Sequence, residues 1–248
     1  MPKQNRRDRI DRKAVKVHSA YQEKAVVNND WKLDWFVPSE AQSEIVYGMN
    51  NHDLTIVDGP SGTGKTSTAV WKALMDLKQG HYRKIVFIKN PTEAGDDMIG
   101  YLKGEVQDKL AVHFSEMKRI FLNFVSKGKL ESDEGTKLEF TIPNYLLGTT
   151  FDNCIIIVDE GQTFSPNTMK LVLERAGEGS RVVVCGDSRQ RYSVKKRDDG
   201  FSDLISKVTE QAEDGFVEST QELIHYVKLT TDENQRSELS KLITELYA

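Results

Sequence analysis

The string Gly59-Pro60-Ser61-Gly62-Thr63-Gly64-Lys65-Thr66 constrains this chain more than any other feature. It matches G-x-x-x-x-G-K-[ST], a pattern whose chemistry depends on a strand before it and a helix after it. Both flanks are present. Leu54 to Val57 reads as a buried strand. Ala69, Val70, Ala73, Leu74 and Leu77 then recur at helical spacing, with Gly80 as a stop. Glycines let such a loop wrap so that its N–H groups converge on phosphate oxygens. The helix N-terminus adds the positive end of its dipole. Lys65 would bring a full charge to the β- and γ-phosphates of a triphosphate. The Thr66 hydroxyl would ligate magnesium, with Ser67 beside it in the first helical turn.

A second signal follows about a hundred residues later. Ile155 to Val158, apolar throughout, reads as a strand covered on both faces and ends in Asp159-Glu160. Asp159 is placed to hold magnesium, and Glu160 to take a proton from an attacking water. The third signal is the run Val182 to Cys185 ending in Gly186-Asp187-Ser188-Arg189-Gln190. A polar side chain there, Gln190 for choice, would reach the γ-phosphate or the water, with Asp187 holding the loop. Ligands of open α/β sheets sit beyond the carboxyl ends of the strands, where these motifs converge.

Strands alternating with helices predict a mostly parallel sheet flanked by helices. Ile85 to Ile88 is a further strand and Tyr226 to Leu229 another. Leu110, Phe114, Met117, Phe121 and Val125 predict a long helix ending near Gly128, followed by an acidic loop, Glu131 to Glu134. Ser165 and Pro166 read as the cap and first turn of a helix carrying Met169, Val172, Leu173 and Ala176. Asp232 is expected to cap a last helix whose apolar face is Leu239, Leu242, Ile243 and Leu246. Residues 1–30 read as a basic, flexible tail and 31–248 as one domain. The 248 residues suffice for a core without staples. No apolar run approaches the roughly 20 residues of a membrane span. The two cysteines, Cys154 and Cys185, make no zinc site and, with no secretory signal visible, predict a cytoplasmic protein.

These motifs, in this order, resemble the PhoH-like P-loop ATPases, relatives of the nucleotide-binding half of superfamily 1 helicases. The resemblance covers roughly residues 38–247 and implies a RecA-like domain. Asp159-Glu160-Gly161-Gln162 is similar to the family's Asp-Glu-Ala-Gln, and Gly186-Asp187-x-x-Gln190 to its next motif. By the same resemblance Gln42 would read adenine. Asp232 and Arg236 match a C-terminal aspartate-to-arginine spacing, which adds Arg236 to the nucleotide site. Gly95 and Gly100-Tyr101-Leu102-Lys103-Gly104 resemble a segment after the second strand. Two departures stand out. Asn90-Pro91 replaces an Arg-Pro pair, and Leu147-Gly148-Thr149-Thr150 replaces an Arg-Gly-Arg-Thr stretch. A divergent member of bacteriophage origin would account for such losses.

The resemblance implies a magnesium-dependent ATPase, with a helicase among its candidate forms, assembled as a hexameric homo-oligomer. An arginine would complete the site, with Arg175, Arg189, Arg191 and Arg236 as candidates. The net charge of −4 excludes a globally basic nucleic-acid binder. Two segments are locally basic: residues 1–17, and Arg189 to Arg197 with Tyr192 inside it. The latter could couple hydrolysis to a single strand of RNA, or of DNA, with Tyr192 stacking on a base. The competing expectation is a regulatory or scaffold ATPase whose nucleotide state controls a protein partner. A small-molecule kinase is a third, disfavoured by the acidic motif and Gln190.

Overall fold

Apolar runs line up side by side as a parallel sheet in the computed structural model of the protein, which describes residues 30–91, 106–190, 199–211 and 217–246. In chain order the elements are α1 (Glu40–Asn51), β1 (Leu54–Asp58), α2 (Lys65–Gln79), β2 (Lys84–Lys89), α3 (Val106–Phe121), α4 (Lys127–Asp133) and β3 (Leu138–Thr141). There follow β4 (Cys154–Asp159), α5 (Pro166–Leu173), β5 (Arg181–Gly186), α6 (Gly200–Val208), β6 (Thr209–Gln211), β7 (Val217–Ser219), β8 (Ile224–Lys228) and α7 (Glu238–Leu246). The main sheet has the order β3-β2-β4-β5-β1-β8, and every pairing in it is parallel. Strands β6 and β7 form a separate antiparallel pair. This is the RecA-like doubly wound arrangement expected: β5 separates the loop-bearing β1 from the acid-bearing β4.

Both sheet faces are covered, and the two-residue strand period sorts the core into two layers. Val57, Ile85, Phe87, Ile155, Ile157 and Val183 point to the layer beneath α1, α2 and α3. Ile56, Val86, Ile88, Ile156, Val158 and Val184 point to the layer beneath α5 and α6. Helix α2 ends as the sequence predicts: Gly80 adopts φ 78° and its N–H bonds the carbonyls of Asp76 and Leu77. Ser165 caps α5 by accepting from the Thr168 N–H, with Pro166 in the first turn.

Several expectations need correcting. The long helix stops at Phe121, not near Gly128. Val125 lies beyond it and bridges to Trp31. The segment read as an acidic loop is largely helix α4, because Ser126 accepts from Lys129 N–H and Leu130 and Asp133 turn inward. Asp232 does not cap the last helix: it sits in a 3-10 turn capped by Thr230, and Ser237 Oγ accepts from Ser240 N–H at the start of α7. Strands β3, β6 and β7 and helix α6 are additional to the predicted elements. The basic tail, Gly95, the 100–104 segment with Lys103, and Arg191, Tyr192 and the rest of the basic loop through 197 lie outside the described residues.

Candidate active site

Chain reversal after β1 is possible because two positions of the loop are glycine. Gly62 adopts φ 90° and Gly64 φ 80°, conformations that cost an L side chain steric strain. Space is also absent. A Cβ on Gly62 would meet Asn234 Oδ1 at 2.5 Å, and one on Gly64 would collide with the Gln42 amide. Thr63 is fully buried, and its hydroxyl donates to Pro60 O at 2.9 Å, so its side chain shapes the loop. Lys65 Nζ donates to two loop carbonyls, Gly59 O at 2.6 Å and Pro60 O at 2.8 Å. The ammonium is thus held over the loop that the motif says it should serve.

Thr66 Oγ1 donates to Asp159 Oδ1 at 2.7 Å, across 93 residues of sequence. The two residues expected to share a metal therefore meet. Lys89, last in β2 and in register with Asp159, places Nζ 3.7 Å from the other carboxylate oxygen. Burial, and then the Glu160 carboxylate, push the Asp159 carboxyl above its usual range; Lys89, the Thr66 hydroxyl and Lys65 act against that shift.

Glu160 is one of two non-glycine residues with positive φ among those described, at 54°. Such geometry persists where surrounding contacts hold it. Here Thr163 Oγ1 donates to Glu160 O at 2.7 Å. Gln162, 5% exposed, donates through Nε2 to Glu160 Oε2 at 2.7 Å and accepts Asp187 N–H at 3.1 Å. The acid motif is therefore wired to the loop after β5. Within that loop Asp187 accepts Arg189 N–H at 3.1 Å, and Gln190 N–H donates to Asp187 O. Burial raises the Asp187 carboxyl above its usual range, opposed first by the Arg189 N–H.

A cavity of about 340 Å³ collects these groups. Ser61, Gly62, Gly64, Lys65, Thr66 and Ser67 line one wall. Asp159, Glu160, Asp187 and Gln190 line another, and Gln235 and Arg236 close it. Gln235 N–H bonds Gly62 O at 3.0 Å, which fixes the C-terminal segment on the loop. Gly59, Pro60 and Thr63 stand behind the wall. Gln42 also stands behind it: fully buried, it donates to Thr63 O at 3.0 Å and accepts Ser39 N–H at 3.0 Å. Of the candidate arginines described, Arg236 lines the cavity. Arg175 instead donates to Leu171 O and Thr149 O, and Arg189 stands 3.7 Å from Asp187. Asn90, in place of an arginine, donates to Thr163 O at 2.7 Å and braces the turn after Glu160.

Three contributors carried little sequence signal. Asp58 ends β1 and is 4% exposed; it accepts Ser188 N–H at 2.9 Å, Ser188 Oγ at 2.8 Å and Tyr226 OH at 3.1 Å. Lys89 and Gln235 are the others. An acid or a lysine at a strand end is common, so only its position beside the glycine loop singles out Asp58.

A phosphate-cradling loop, an acid-ended strand and a polar loop converging over a parallel sheet define the RecA-like P-loop NTPase class. Within that class the match is specific: the profile of the family described as PhoH-like protein (PhoH) matches residues 37–248, and the chain belongs to that family. It is 34% identical over 155 residues to a PhoH-like protein of Bacillus subtilis (strain 168), covering 62% of this chain and 48% of the relative. It is 28% identical over 182 residues to Protein PhoH of Escherichia coli (strain K12), covering 72% of this chain and 51% of the relative. The chain thus spans about half the length of the curated relatives it matches. Among solved structures it is similar to the large terminase of a thermophilic bacteriophage in complex with ADP. That match has a TM-score of 0.45 and 14% identity, covering 84% of this chain and 50% of that one.

Proposed function

We propose that the chain is a magnesium-dependent ATPase that couples hydrolysis to binding or remodelling of single-stranded nucleic acid, RNA in preference to DNA. The observation that carries the reading is the 2.7 Å contact of Thr66 with Asp159 in the cavity that also holds Lys65 and Glu160. The donor set supports a hard divalent cation: a hydroxyl and a carboxylate oxygen lie side by side, and the Cys185 thiol beside them is kept in its neutral form by burial, which pushes it well above the usual thiol range. Magnesium bound there with ATP would neutralise charge on the β- and γ-phosphate oxygens. Lys65 would exchange its loop carbonyls for phosphate oxygens. Glu160, aimed by Gln162, would accept the proton of the attacking water. Gln190 would orient that water or contact the γ-phosphate, and Arg236 would stabilise charge developing in transfer.

Coupling to a nucleic acid is supported by the sequence that continues from Gln190 into Arg191-Tyr192-Ser193-Val194-Lys195-Lys196-Arg197. A cationic stretch of sequence with an aromatic, following directly on Gln190, suits a backbone-and-stacking contact. The reading includes a cytoplasmic location and a homo-oligomeric ring. Among the described residues no helix is long and apolar enough to cross a membrane.

One experiment tests the reading: phosphate release with and without single-stranded RNA and DNA at two salt concentrations, for the wild type, Lys65→Ala and Glu160→Gln. Lys65→Ala should lose nucleotide binding and turnover. Glu160→Gln should bind ATP yet hydrolyse it about 100-fold or more slowly, the scale of a general base. Stimulation by a single strand should fall as salt rises. Wild-type turnover in either variant removes the assigned chemistry. Turnover indifferent to both polymers removes the nucleic-acid coupling and favours a nucleotide-controlled scaffold.

A further inference from the structure

The fold withdraws Gln42 from base reading. Its side chain is fully buried behind the loop, with the amide N–H given to Thr63 O and the amide oxygen to Ser39 N–H. A different amide stands open at the loop. Gln235 is exposed, and its side chain makes no hydrogen bond among the described residues. A Cβ on Gly64 would lie 3.8 Å from Gln235 Oε1, which sets this amide against the head of α2. Its backbone is pinned, since Gln235 N–H donates to Gly62 O at 3.0 Å. Gln235 also lines a second space, a groove of about 610 Å³ between the head of α1 and residues 232–235. The groove and the triphosphate cavity therefore adjoin at this side chain. They differ in charge. Lys65 and Arg236 line the cavity, whereas Glu40, Glu44, Asp232 and Glu233 ring the groove. A nucleotide is polar in the same sense, with an anionic triphosphate at one end and a neutral base at the other. Carboxylates would repel a second phosphate and accept from an amino group. In the groove wall Asn234 is 3% exposed. Its Oδ1 accepts Arg236 N–H at 2.9 Å, but its Nδ2 has no acceptor among the described residues. Buried donors are nearly always satisfied, so this one points to an acceptor supplied by a ligand.

We propose that the base of the bound nucleotide sits in this groove and that Gln235, in place of Gln42, reads it and selects adenine. The inference deepens the triphosphate reading of the loop and rests on it. A glutamine amide presents a donor and an acceptor side by side. They match the ring nitrogen and the amino group along one edge of adenine. Guanine carries a carbonyl oxygen where adenine has the amino group, so it meets Gln235 Oε1 with a second acceptor. A flipped amide then offers it a donor but leaves Oε1 unpaired. Asn234 Nδ2 supplies a further donor for a ring nitrogen, and the carboxylates of Glu40 and Asp232 are acceptors for the second amino proton.

Equilibrium binding to the full chain tests it, with magnesium and three ligands: non-hydrolysable analogues of ATP and GTP, and inorganic tripolyphosphate, which carries no base. The wild type should prefer the ATP analogue by about tenfold or more, the scale of one bidentate base contact. Gln235→Leu should weaken the ATP analogue by about tenfold and the other two ligands by less than about twofold, so that the preference disappears. Retained tripolyphosphate binding will show that the variant folds. Gln42→Ala should instead weaken all three ligands together, because it loosens the loop. A wild type that binds both analogues equally overturns the proposal. So does Gln235→Leu that keeps the preference or weakens all three ligands alike, or Gln42→Ala that erases the preference. Tripolyphosphate separates this inference from the reading beneath it. If tripolyphosphate binds and no base preference exists, the triphosphate site stands and the base assignment falls. If neither tripolyphosphate nor the nucleotides bind, the triphosphate reading itself falls and takes this inference with it.

Discussion

At the scale of single residues, the site depends on groups that hold other groups in place. Lys89 faces one oxygen of Asp159 while Thr66 engages the other, so the carboxylate is fixed from both sides. Lys89→Met should raise the magnesium concentration needed for tight nucleotide binding by roughly 2- to 5-fold, the scale of a partly exposed ion pair, and Lys89→Arg should restore it. A fluorescent nucleotide titrated with magnesium reads this directly, and an unchanged requirement would reduce Lys89 to a solvated strand end. Gln42 acts in the same manner beneath the loop. Its amide fills the space beside Gly64 and joins Thr63 O to Ser39 N–H. Gln42→Ala would leave a buried carbonyl without its donor, at about 1–3 kcal/mol. Urea unfolding should show that loss, and nucleotide affinity should fall with it.

At the scale of elements, β1, β5 and β8 are latched at their carboxyl ends by Asp58. Its carboxylate holds Ser188, in the loop after β5, and the Tyr226 hydroxyl on β8. Burial and then the nearby Asp58 carboxylate raise the Tyr226 phenol well above its ordinary range, so it donates at every working pH. Asp58→Ala should free the loop that carries Gln190. The expected result is a larger fall in kcat than rise in KM for ATP, on the order of tenfold in kcat, since orientation of the reacting groups is lost before binding. Equal changes in both constants would show that the latch serves binding alone. Apolar strands and capped helices at this scale were legible locally: Ser165-Pro166 and Gly80 mark true boundaries. The edge strand β3 was not, because Leu138-Glu139-Phe140-Thr141 is short and half-polar and becomes a strand by pairing with β2. Nor was α4, whose acidic residues look solvated until Asp133 turns inward to Lys129 at 2.7 Å.

For the whole molecule, the end of the sheet opposite the loop carries a titratable lock. His225 on β8 stacks on His52 at 4.9 Å, packs on Tyr47 at 5.4 Å and lies 3.7 Å from Glu44. Burial, then the second imidazole, hold the His225 pKa below its ordinary 6.5, with Glu44 pulling the other way. The neutral ring is therefore favoured by folding. As pH falls through about 6.5 the unfolded chain takes up this proton first, so the contribution is full above that pH and declines below it, until the folded ring also protonates. The melting temperature should drop between about pH 7.5 and 5.5, and His225→Gln should show a shallower drop; equal slopes would refute the assignment. The family's motifs, the parallel sheet and the meeting of Lys65, Thr66, Asp159, Glu160 and Gln190 were readable from the chain alone. Each rests on contiguous chemistry: glycines that permit the loop, apolar runs that must be covered, acids that end them. The folded structure alone decided that Asp58 would clasp Ser188, that Gln162 would link Glu160 to Asp187, and that Gln42 would brace the loop. The first two join the loop after β5 to residues as far as 130 positions away and follow from β5 lying between β1 and β4, a pairing no local pattern encodes; the third needs α1 to pack against the loop.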